Sequence, residues 1–138
     1  MQVSSTAYKM VNIMLKKRLL IRVLVVFVII AGISAVVFIR NIPPSPANAI
    51  RKLQSISTYR FKREYSYWYI THYDRQDLVE YFLKHPAGNE DAQMIVVGLY
   101  AKGEDQLKAQ VVDIADLSDP NPPGYVESNA RFVLENRP

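Results

Sequence analysis

Residues Tyr59 to Tyr73 read YRFKREYSYWYITHY, and Tyr65, Tyr67, Tyr69 and Tyr73 fall on alternate positions of that stretch. A row of phenol rings can stack on sugars, or anchor a protein partner through rigid side chains with an apolar body and a polar tip. Arg60, Lys62 and Arg63 lie beside the row, and stacked rings next to cations also suit single-stranded nucleic acid. An extracytoplasmic location, argued below, stands against nucleic acid and leaves a protein or a glycan as ligand. The structural alternative makes the row the inner face of a sheet, with its hydroxyls reaching the rim.

Other chemistry is sparse. The chain has no cysteine, which excludes thiol catalysis, and its two histidines would need carboxylates to complete a zinc site. His72 and His85 are thirteen residues apart at opposite ends of an expected helix, too far to share a metal. His72 with Asp74 is a candidate base and orienter for a small hydrolase, but no serine or threonine stands in a nucleophile setting. Asp113 with Asp116, and Glu90 with Asp91, match no calcium loop, and Gly98 and Gly103 make no phosphate loop. The reading is a non-enzyme with no cofactor and no metal.

The elements around these residues begin with an asymmetry of charge. Residues 1 to 49 carry six basic side chains and no acid, whereas residues 50 to 138 carry eleven basic and thirteen acidic ones, a net −2. The high pI is therefore the property of a flanked apolar segment and not of a nucleic-acid surface. Val23 to Ile39 contains no charge, and thirteen of its seventeen residues are Val, Leu, Ile or Phe. Each of these contributes roughly −0.3 to −0.6 kcal/mol to insertion at the centre of a bilayer, far outweighing the single Arg22 near its edge. Counted from Leu19, the segment predicts a transmembrane helix over residues 19–39. It exceeds the usual 7 to 15 residues of a secretory apolar core, and Pro43, Pro44 and Pro46 separate it from the Ala47-Asn48-Ala49 triplet. Retention as an anchor is expected. Lys16, Lys17, Arg18 and Arg22 crowd its amino side, which puts residues 1–18 in the cytoplasm as a tail and the rest outside the inner (plasma) membrane, periplasmic or extracellular. Ala31, Gly32 and Ala35 supply small residues at which a second membrane helix can approach.

Residues 40–49 read as a proline-rich spacer, although helical spacing resumes at Ala47 and continues through Ile50, Leu53 and Ile56 to Ser57. Tyr59 to Tyr73 alternates with period two and predicts a long strand. Asp74 to Lys84 has the clearest helical pattern, with Leu78, Tyr81 and Phe82 on one face, Asp74 as a cap and Pro86 beyond its end. Met94 to Ala101 is a short continuous apolar run, expected as a central strand. Leu107 to Leu117 is expected to return as its hairpin partner, with a helix from Asp105 as the alternative, since Leu107, Val111 and Ile114 also fit helical spacing. Asp119 to Gly124 must be a loop, and Ala130 to Asn136 predicts an edge strand. The sum is an α+β chain: one N-terminal transmembrane helix followed by a small extracytoplasmic domain, residues 50–138, with a mainly antiparallel sheet and one or two packed helices.

The function this predicts is a single-pass, membrane-anchored accessory or assembly subunit of a membrane protein complex. Its contacts would be other membrane or envelope proteins, through Ala31, Gly32 and Ala35 within the bilayer and Tyr65, Tyr67, Tyr69 and Tyr73 outside it. The competing readings are a periplasmic inhibitor or immunity-type protein, and a glycan-binding module or small hydrolase.

Overall fold

The computed structural model describes residues 5–121 and 124–137. They form seven α-helices and one 3₁₀ turn, and the expected sheet is not there: among the described residues there is no strand. The chain divides into two units, Met1–Ile42 and Pro43–Pro138.

The first unit is one helix, α1 (Ser5–Asn41), about 55 Å long at 1.5 Å per residue. Its apolar side chains are exposed along its whole length, from Tyr8 to Ile39. A helix apolar on every face needs a non-aqueous environment around it, and this one is long and apolar enough to cross a membrane.

The second unit is a bundle of α2 (Pro46–Ser55), α3 (Tyr59–His72), α4 (Arg75–Lys84), α5 (Glu90–Ala101), the 3₁₀ turn Asp105–Leu107, α6 (Lys108–Ala115) and α7 (Tyr125–Asn136). Two of these elements match their sequence patterns. The proline at the start of α2 has no N–H to satisfy, so Pro46 opens the helix within the expected spacer, and Ala49 and Leu53 face the core. In α4 the Asp74 carboxylate accepts from the Asp77 N–H at 3.0 Å, and Leu78, Val79 and Phe82 are buried.

The expected strands are overturned, while the expected loop at Asp119 to Gly124 carries no helix or strand at its described residues, 122 and 123 lying outside them. Met94 to Ala101 is the body of a helix, α5, in which Met94, Ile95, Val96, Val97, Leu99 and Tyr100 are all buried. Covered on nearly every side, it has no polar face, and a patternless apolar run reads the same for a strand and for an encircled helix. Asn89 caps it, its side chain accepting from the Ala92 N–H at 2.9 Å, and Glu90 and Asp91 sit in the first turn, where the helix dipole favours acids. The hairpin partner is replaced by the 3₁₀ turn and α6, with Leu107, Val111 and Ile114 buried as the helical alternative requires. The edge strand is the second half of α7, which buries Val126 and Ala130.

The strand from Tyr59 is helix α3. Ser66, Tyr69 and Ile70 are buried, with Tyr59, Lys62, Tyr65 and Tyr73 half-buried around them, a spacing of three and four that the alternation of aromatics conceals. At its N-terminal end, Lys62 crosses to Asp91 of α5, Nζ to Oδ1 at 2.7 Å, and both groups are largely shielded from water. Further along, α3 and α5 approach so closely at Gly98 that a Cβ there would lie 2.5 Å from Cδ1 of Ile70. Glycine within a helix costs about 1 kcal/mol relative to alanine, and here that cost is offset by the close packing it allows.

The crossing yields a double-mutant test. Gly98→Ala alone should gain no stability, because the clash with Ile70 cancels the helical benefit. In an Ile70→Val background, which removes the offending methyl, the same change should stabilise by up to about 1 kcal/mol relative to Ile70→Val in thermal unfolding. Additive effects of the two substitutions would contradict the close approach.

Candidate functional site

A helix advances its side chains by about 100° per residue, so the four tyrosines expected on one face are split. Tyr69 is fully buried and donates its hydroxyl to the Pro44 carbonyl at 2.8 Å, fastening the start of the domain to α3. Tyr65 and Tyr73 flank it on the same side, with ring centroids 6.3 and 5.2 Å from Tyr69. Tyr67 points away and is 59 % exposed. Tyr65, Trp68 and His72 form a second aromatic row along α3, with centroids 5.6 and 5.1 Å apart. A sugar cannot stack on Tyr69, and only Tyr67 of the four presents an open ring. Ala31, Gly32 and Ala35 lie on α1, exposed, with open space around Gly32.

The histidines have structural partners. His72 Nδ1 lies 2.8 Å from the Trp68 carbonyl, and its ring stacks on Trp68. Asp74 is occupied as the cap of α4, so the proposed base and orienter are not hydrogen-bonded to each other. His85 Nδ1 lies 3.1 Å from the Tyr81 carbonyl, with its ring stacked on Tyr81. Among the described residues no cluster of His, Asp or Glu is placed to hold a metal.

What the fold does build is a groove of about 240 Å³ between α3, α5 and α7. Ser66 and Ile70 of α3 with Met94, Gly98 and Ala101 of α5 form its floor, and the absence of a side chain at Gly98 helps to keep it open. Tyr59 and Tyr125 close one end, their rings 4.5 Å apart, and Tyr67 stands at the rim with Lys102 Nζ 4.7 Å from its ring centre. Arg63 lies beside the Tyr125 hydroxyl. Two cations and no acid line the groove, in a domain whose net charge is negative. The other basic residues of α3 are paired, Arg60 with Glu64 at 3.0 Å and Lys62 with Asp91, whereas neither Arg63 nor Lys102 has an ion-pair partner among the described residues.

No protein family, characterised protein or solved structure matches this chain. The reading of the site therefore rests on its own geometry.

Sequence reasoning missed the groove. Its lining comes from three helices, and Arg63 and Lys102 are distant in sequence, so no local pattern could join them. The spacing of Ser66 to Ile70, and of Gly98 to Lys102, was the only signal, and it becomes legible once both segments are known to be helical.

Burial sets the phenols apart. It pushes Tyr59 up to about 12, with Tyr125 and Glu90 adding to the effect. Tyr69 is raised by burial first and by its tyrosine neighbours second, and Tyr65 by burial alone. The Tyr65 hydroxyl is buried without a hydrogen-bond partner.

These differences predict opposite outcomes for two similar changes. Tyr69→Phe should cost about 1–2 kcal/mol, because it leaves the Pro44 carbonyl unpaired, while Tyr65→Phe should be neutral or stabilising, because it removes an unsatisfied hydroxyl. Thermal unfolding followed by near-ultraviolet circular dichroism separates the two.

A pH dependence follows as well. The folded-state values lie above the ordinary phenol value of 10.0, so the stability these tyrosines contribute is intact below that pH. It is lost as pH rises from there through about 12, where Tyr59 ionises in the folded state. The unfolding temperature should fall across that window, and less steeply in Tyr69→Phe.

Proposed function

We propose that this chain is a single-pass, membrane-anchored accessory or assembly subunit that works by protein contact. The observation that carries the reading is the contrast between its two units. The domain closes its own core, with Leu53, Tyr69, Phe82, Ile95 and Val111 fully covered, whereas α1 leaves every apolar side chain from Tyr8 to Ile39 uncovered. A helix of that kind is stable in lipid, where its backbone groups are satisfied internally, or against other membrane helices. The basic cluster Lys16, Lys17, Arg18 and Arg22 supports an orientation with the N-terminus in the cytoplasm and the domain outside the inner (plasma) membrane. The groove, open to solvent and lined with apolar and cationic side chains, supports a binding role in preference to catalysis.

The reading is tested on the full chain in its native membrane. It should stay with the membrane fraction after an alkaline carbonate wash, and protease added from the outside should remove the domain. Mild-detergent extraction followed by cross-linking should capture a stable membrane protein of a different sequence. Recovery of the native chain in the aqueous fraction would overturn the anchor, and the absence of any cross-linked partner would overturn the subunit role.

A further inference from the structure

We infer that copies of this chain associate head to tail, with the Leu117 tip of one seated in the α3–α5–α7 groove of the next, and Asp116 and Asp119 facing Arg63 and Lys102. The inference rests on the reading of the protein as one that acts by contact, and it names a second copy as an occupant of the groove.

The groove asks for an apolar side chain accompanied by carboxylates. Its floor is aliphatic, and its two charged residues are cations without an ion-pair partner among the described residues; no acid lines it. Among the described residues, the domain's own surface offers such a group at the end of α6. Leu117 is 65 % exposed, in the turn after α6, between Asp116 and Asp119. Of the other exposed apolar side chains, Phe61 stands between Arg60 and Lys62, Leu83 precedes Lys84 and Phe132 follows Arg131, while Val112, beside Asp113, lies within α6 and is only 38 % exposed.

The turn is also fixed in shape. Asp116 adopts a left-handed conformation, with φ 39°, which ends α6 and redirects the chain at Leu117. The Arg131 guanidinium donates to the carbonyls of Ala115, Asp116 and Asp119 and holds the turn from within. Asp116 accepts from the Ser118 hydroxyl, and Asp119 from the Asn121 N–H at 2.8 Å, so both acids are locally positioned. A preformed tip entering a preformed groove loses little conformational entropy on association.

Copies anchored through the same helix share one orientation toward the bilayer, which permits a contact between unlike surfaces that repeats around a ring or along a row. Confinement to a membrane raises the effective concentration, so a contact of this small size suffices.

The test uses the purified full chain in phosphatidylcholine vesicles. Because the chain has no cysteine, Ser57→Cys, at an exposed position, gives one site for donor and acceptor dyes, and energy transfer reports association. The native sequence should show transfer above that of a randomly distributed membrane helix. Arg63→Glu with Lys102→Glu should weaken association by about tenfold or more, the scale of two rim ion pairs. Asp116→Asn with Asp119→Lys should do the same, with Asn retained because it tolerates the left-handed conformation. Mixing the two variants should restore transfer, since each tip then meets a groove of opposite charge, and that rescue excludes misfolding as the cause of either loss. Leu117→Ser, at an exposed position, should also weaken association.

Absence of transfer for the native chain, indifference to the charge changes, or failure of the mixture to recover would each overturn the inference. Capture of a different protein in native membranes alongside a monomeric purified chain would refute self-association and leave the subunit role standing. Self-association without any cross-linked partner would do the reverse.

Discussion

Helix α5 is covered on almost every face, and the rest of the domain is arranged by the need to cover it. Helices α2, α3, α4, α6 and α7 and the 3₁₀ turn all pack against it. A helix of its length is marginal in water, so its stability comes from that burial and not from propensity. Each surrounding helix in turn buries a single stripe: Ala49 and Leu53, Tyr69 and Ile70, Leu78 and Phe82, Val111 and Ile114, Val126 and Ala130. Helices α6 and α7 also pack on each other, and α2 on α3, so that the ring around α5 is closed by contacts of its own.

The same constraint shapes the groove. At Gly98 the α3–α5 contact leaves room for the terminal methyl of Ile70, and the pair is pinned at its N-terminal end by Lys62 and Asp91. The groove lies between α3, α5 and α7, with the Tyr59 and Tyr125 rings in contact at one end. At the far end, Arg137 holds α7 in place: it donates to the Tyr100 carbonyl and to Asp105 Oδ1, and its guanidinium lies 4.3 Å from the centre of the Tyr100 ring. Structural demand accounts for Lys62, Asp91, Gly98 and Arg137. Arg63, beside the Tyr125 hydroxyl, and Lys102, over the Tyr67 ring, have no ion-pair partner among the described residues.

The long apolar helix and the groove belong to different units and answer to different physics. The first unit leaves its apolar side chains exposed. The second is self-sufficient in its core and offers a specific surface.

The sequence by itself determined the apolar segment, the charge asymmetry around it, and helix α4 with its Asp74 cap. Each of these depends on free energies that act locally: transfer of a contiguous segment to lipid, or side chains capping the helix they adjoin. Tertiary structure alone decided that Met94 to Ala101 is a helix, since burial on all sides erases the period that would have shown it. It also decided that the tyrosine row is not a row. The aromatic alternation from Tyr59 to Tyr73 imitates a strand, but Ser66 and Ile70 meet α5 only in a helix. The groove could not be read in advance because Arg63 and Lys102 become neighbours only through the packing of α3 on α5, and no local rule carries that distance.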